Sequence, residues 1–268
     1  MNLFERLLYF LQGEMIMPKP FGWFHMLCIL IMCLFIIVLY FKRKKYNEKQ
    51  LKLILGTYGI IAFILEFLKQ LIWSFNFDSL NNIVTWDFQW YSFPFQLCTM
   101  PLYVCLICLF LNKNKLRDYL LSFVSYVTIL GSIATIFLPD SCFTSDILVN
   151  IHTMWLHLGS FVVSVYLLMV KEVSISLEGL KKAIKTFLVF VAIAIILNIV
   201  VYNINILNRE TFNMFYISPY FISSLPVFDV IQEHVPYIVY LITYVWVLII
   251  GASIIYGVSF GLNKLIKS

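Results

Sequence analysis

Apolar runs of about twenty residues alternate with short polar connections at roughly 22–41, 53–73, 93–111, 119–138, 147–170, 184–203 and 236–258. At about 1.5 Å of rise per residue, each run is long enough for a helix that crosses a hydrocarbon core about 30 Å thick. The two-residue alternation of a barrel strand is absent. The pattern predicts an all-α, polytopic membrane helical bundle with about seven spans, forming a single integral domain over 1–268. Residues 1–21 read as an N-terminal interfacial segment, in which LFERLLYFL (3–11) has the two-faced pattern of a helix lying at the membrane surface. Pro139 closes the fourth span, and Pro94 suits the first turn of the third. The longest connection, 204–235, carries aromatics and prolines that point to an ordered cap, with a loose loop as the alternative.

Charge fixes the orientation. Fifteen of the 19 lysines and arginines fall in alternate connections, after spans one, three, five and seven. Lys42, Arg43, Lys44, Lys45, Lys49 and Lys52 form the largest group, and Lys264 and Lys267 the last. A basic side is a cytoplasmic side, so the N-terminus is expected outside and the C-terminus inside. No cleavable leader is visible ahead of the first span. At 62% hydrophobic and 12% charged residues, the chain lies far from the balance of soluble domains. Its net charge of +5 therefore describes topology anchors, some touching anionic lipid, and no nucleic-acid partner is expected. The expected setting is a cell membrane, as a multi-pass protein of the bacterial plasma membrane, with phospholipids as solvent and candidate substrate.

Ionisable groups inside the spans are where chemistry is sought, because they are costly in hydrocarbon unless they face a partner or a wet cavity. Glu66 and Lys69 lie three residues apart within the second run, on one helix face, as a functional pair or as a packing ion pair. Among six cysteines, Cys28, Cys33, Cys105 and Cys108 read as small hydrophobes. Cys142 stands alone in an outer loop. Cys98 belongs to Phe93-Pro94-Phe95-Gln96-Leu97-Cys98-Thr99-Met100-Pro101, where Pro101 is expected to bend the helix and a nearby helix N-terminus favours thiolate. His152 and His157 are five residues apart, about 140° around a helix, so they face different ways. His157, deeper and near Ser160 and Ser164, is the candidate base, with interhelical hydrogen bonding as the alternative. Counted along the helices, these groups and Asn198 fall within about 6–15 Å of the outer face. The donor set has no recognisable metal-ligand spacing, so neither metal nor cofactor is expected.

Glu66-Phe67-Leu68-Lys69-Gln70, the run Trp90 to Cys98 with Met100-Pro101, His157, Phe212 to Pro219 and Leu225-Pro226-Val227 together resemble the YwaF-like bacterial integral membrane proteins. More remotely, that group is similar to a eukaryotic multispanning acyltransferase acting on ether phospholipids. The resemblance implies a cysteine nucleophile at Cys98 and a histidine partner at His157. Gln96 departs from the pattern, standing where many relatives carry histidine, and an amide is no base. The implied activity is lipid acyl transfer at the outer leaflet, with Glu66 and Lys69 orienting His157 or a headgroup and with Gln96, His152 and Asn198 in support. A small-solute transporter or channel, or a nonenzymatic sensor or assembly protein, stands as the alternative.

Overall fold

The computed structural model describes residues 1–139, 142–205 and 207–265. Lys267, counted among the topology anchors, and Ile206 of the long outer connection lie outside the described residues. The protein is a helical membrane bundle, and its apolar segments fall where the hydropathy pattern puts them. An amphipathic helix α1 (Leu3–Leu11) is closed at its start by a reciprocal cap, in which Asn2 accepts from the Glu5 N–H and Glu5 accepts from the Asn2 N–H. Its Leu8 is buried against Ile72, Phe75 and Val149, which seats the helix across the bundle's end.

Among the described residues, six helical segments are long and apolar enough to span: α2 (Trp23–Lys42, continuing to Lys45), α3 (Glu48–Ser74), the run from α5 (Lys115–Phe123) to α6 (Ile129–Phe137), α7 (Ile147–Met169), α8 (Leu177–Ile204) and α10 (Tyr237–Leu265). The fifth and sixth helices are joined by a π-helical turn, Val124–Thr128, whose carbonyl at Val124 accepts from both Thr128 and Ser164. The seventh apolar segment is α4 (Met100–Phe110), only 11 residues long, or about 16 Å. The third predicted run therefore enters the bundle as turns and becomes helical only near its middle. Pro101 does not bend that helix, as expected from sequence, but starts it, at a position where a missing N–H costs nothing. Pro94 likewise lies ahead of the helix, and its carbonyl accepts from Tyr103 at 2.7 Å.

Between α3 and those turns, β1 (Phe75–Asp78) and β2 (Ile83–Trp86) form a short antiparallel hairpin with Phe75 opposite Trp86. The long connection after α8 is ordered and enters the bundle. Met214, Phe215 and Ile217 are fully buried, and α9 (Phe228–His234) follows. At the other, basic end, Arg117 is bound by Glu48 at 2.6 Å and Glu172 at 2.8 Å. Tyr46 also donates to Glu172, and burial with that bond raises its hydroxyl well above the usual tyrosine range. This cluster ties α3, α5 and the α7–α8 connection together, a fixed point from which the opposite end is positioned.

Candidate functional site

The last turns of α3 face α7 at the end away from the basic cluster. Their spacing puts Glu66, Lys69 and Gln70 on one stripe, since residues three and four apart are helix-surface neighbours. Glu66 Oε1 binds Lys69 Nζ at 2.7 Å and accepts from Gln70 Nε2 at 2.9 Å. Its other oxygen, Oε2, lies 2.7 Å from His152 Nε2, on the facing helix α7. All three ionisable side chains are buried, at 4%, 7% and 4% exposure for Glu66, Lys69 and His152. Gln70 also donates to the Ser92 carbonyl at 2.8 Å, joining the cluster to the turns ahead of α4. His152 Nδ1 is buried without a hydrogen-bond partner among the described residues. The Glu66 carboxylate thus sits between an ammonium and an imidazole, each 2.7 Å from one of its oxygens.

Cys98 lies one residue before the Thr99 cap of α4 and is half-buried. Its electrostatic neighbours include Lys69 and Glu66, together with Tyr58, Tyr216 and Tyr244 from three other parts of the bundle. Cys105 and Cys108, by contrast, are fully buried in the apolar core, like small hydrophobes. Cys142 packs near Thr135, with sulfur to oxygen at 3.9 Å.

Several expected roles change. His157 shares no hydrogen bond with Cys98, and its neighbours are His152 and the Gly131 backbone of α6. Glu66 and Lys69 accordingly orient His152, not His157. This follows from the five-residue offset: the α7 face carrying His152 meets α3, and His157 is turned toward α6. Asn198 is not an open donor, because its amide donates to the Met214 carbonyl at 3.0 Å and accepts from the Met214 N–H at 2.7 Å. Gln96 donates to the Asn213 carbonyl at 3.0 Å, so it too holds backbone. The residue that sequence reasoning left without a role is Gln70, whose position four residues after Glu66 was the available signal.

The two non-helical segments meet over this site. Phe95 stacks on Phe215 at 5.7 Å, and Phe93 packs on Phe212 at 5.5 Å. Phe215 and Tyr216 both have positive φ, near 58°, a conformation costing about 1–3 kcal/mol at a residue other than glycine. The Asn198 clamp and the Tyr240 hydroxyl, which donates to the Tyr216 carbonyl at 2.6 Å, hold it in place.

The TMEM164 family model matches residues 20–256, nearly the whole chain, and the chain belongs to that family. This finding overturns the YwaF-like bacterial family expected from the Phe-Pro-Phe-Gln-Leu-Cys motif. No curated protein and no solved structure matches the chain.

Proposed function

We propose that this TMEM164-family membrane protein is a lipid acyltransferase with Cys98 as its nucleophile, working just beneath the headgroups on the side away from the basic connections. One observation carries the reading: the half-buried Cys98 thiol, at the start of a helix, has Glu66 and Lys69 of a buried Glu66–Lys69–His152 cluster among its electrostatic neighbours, in a bundle that is otherwise mostly apolar. Such a cluster is expensive in hydrocarbon and marks an interior where polar chemistry takes place.

In this reading the Cys98 sulfur attacks the carbonyl carbon of a phospholipid ester. The thiol proton passes to the Glu66–His152 pair, with the open Nδ1 of His152 as the acceptor and His157 one step further along. The ester C–O bond breaks, and the lysolipid alkoxide leaves with that proton. A lysolipid hydroxyl then attacks the thioester, gives its proton to the same pair, and the C–S bond breaks to restore the thiol. The reaction needs no cofactor, and its substrate is the phospholipid around the protein.

The test uses the full chain in proteoliposomes with acyl-labelled phosphatidylcholine and an unlabelled lysolipid. Label should appear in new diacyl lipid and, after rapid quenching, on the protein in a form released by hydroxylamine. Cys98→Ala should lose both signals while Cys105→Ala keeps them. Full activity in Cys98→Ala would end the proposal.

A second reading rests on a different observation. The hydroxyls of Ser122, Ser125 and Ser132, all in the α5–α6 run, are buried without partners among the described residues. A proton-coupled transporter would use such hydroxyls together with the Glu66 cluster. Proteoliposomes that show solute or proton flux and no acyl transfer would favour it.

A further inference from the structure

A cavity runs through the gap between α2 and α3, over α7, from the basic end toward Phe24 and Ile151. Its volume is about 950 Å³, at the upper end for small-molecule sites. The gap exists because α2 packs mainly on α7 and stands away from α3. Its floor is apolar by construction. The Tyr58 hydroxyl donates to the Leu156 carbonyl at 3.0 Å, and the Trp155 indole donates to the Tyr58 carbonyl at 3.3 Å, so neither offers a polar group to the groove. Gly159 lets these helices approach, since a Cβ there would lie 2.8 Å from the Tyr58 ring.

The groove's charged residues lie at the basic end, where Lys42 and Lys45 line its mouth with Asn47 and Gln50; farther in, Thr57 is the one hydroxyl among the described lining residues apart from Tyr58. No carboxylate lines it among the described residues. Three cations at this end are engaged elsewhere: Lys113 and Arg117 with Glu172, and Lys182 with Asp118. Lys42 and Lys45 have no ion-pair partner among the described residues and are exposed. From Lys42 back to Cys28, both lining residues, the groove follows α2 for about 21 Å. That exceeds the depth of one leaflet, about half of a 30 Å core.

We propose that this groove is a binding site for one anionic phospholipid of the basic-side leaflet, with its phosphate held by Lys42 and Lys45 and its acyl chains lying along α2 and α3. Basic pockets between spanning helices take anionic headgroups in this way. The proposal does not rest on the acyltransferase reading.

The experiment titrates the purified full-length protein with palmitoyl-oleoyl phosphatidylglycerol or phosphatidylcholine and resolves bound lipid by native mass spectrometry. Wild type should hold one phosphatidylglycerol in preference to phosphatidylcholine. At the usual strength of a basic side chain near an anionic headgroup, each lysine contributes about fivefold, so Lys42→Ala with Lys45→Ala should weaken it roughly 25-fold. The neighbouring pair Lys44→Ala with Lys49→Ala, which does not line the groove, should stay within about twofold. Thr57→Trp, a bulky side chain at an exposed groove position, should weaken both lipids without disturbing the core. Equal losses in the two lysine pairs would reduce the effect to diffuse surface charge and overturn the site. So would equal affinity for the two lipids, or unchanged binding in Thr57→Trp.

Discussion

Replacing Glu66 by leucine leaves the Lys69 ammonium, 7% exposed, and the His152 imidazole without their shared carboxylate. Removing one partner of a buried ion pair costs about 3–5 kcal/mol, because the survivor stays charged in a poor solvent or is forced to neutralise. Lys69→Met should cost a similar amount by stranding Glu66. The double substitution Glu66→Leu with Lys69→Met strands neither charge. It leaves only His152 short of a partner, a loss of about 1–3 kcal/mol for a buried polar group. The pair should therefore be coupled by about 3 kcal/mol or more, well beyond independent sites. Reversible unfolding in mixed micelles, followed through the fluorescence of the six tryptophans, gives all four corners of the cycle. Trp73 is a useful local reporter, since Lys69 Nζ lies 5.4 Å from its ring centre. Single substitutions costing under about 1 kcal/mol, with additive doubles, would show that water solvates these charges freely and would refute the reasoning from burial.

Two further substitutions test how the bundle holds its irregular backbone and its basic end. Asn198→Ala removes the partner of both the N–H and the carbonyl of Met214, so it should destabilise by about 1–3 kcal/mol for each group left bare, and limited proteolysis should cut faster between residues 207 and 227. Arg117→Met leaves Glu172, with an 8% exposed side chain, facing only Lys113 and Tyr46. Unfolding in mixed micelles should show a loss of about 3–5 kcal/mol, partly recovered in Arg117→Lys.

The six long spanning helices were legible in the sequence because hydrocarbon leaves the backbone few alternatives, while the third run, 93–111, forms turns and a short helix. The same logic located Glu66 and Lys69 and their pairing, which depends only on spacing along one helix. Legibility stopped where the outcome depends on rotation between helices. The five-residue offset told that His152 and His157 diverge, but nothing in it told which one meets α3. It also stopped at Pro94 and Pro101, which read equally well as a first turn and a kink inside a long helix, or as an irregular entry followed by a short one. Asn198 and Gln96 looked like open donors because their partners, the backbone of Met214 and Asn213, lie 16 and 117 residues away in sequence.

Those two partners decide how the remaining polar residues should be weighed. Non-helical backbone at membrane depth persists only where other protein groups satisfy it. The turns at 93–99 and the inserted loop around 212–218 both need such partners. Gln96, Thr99, Tyr103, Asn198, Asn213, Tyr237 and Tyr240 supply them through hydrogen bonds to backbone atoms of these two segments. Each is thereby tied to the architecture, although the Gln96 side-chain oxygen has no hydrogen-bond partner among the described residues. The Glu66–Lys69–His152 cluster is different, for its charged atoms bind one another, and only the bridging Gln70 reaches backbone, at Ser92. Helix packing here has no need of an ion pair, since the surrounding core contacts between α3 and α7 are apolar and close. A buried carboxylate bound to an ammonium and an imidazole, with the Cys98 thiol among the electrostatic neighbours of the first two, thus stands as the part of this fold that helix packing does not require.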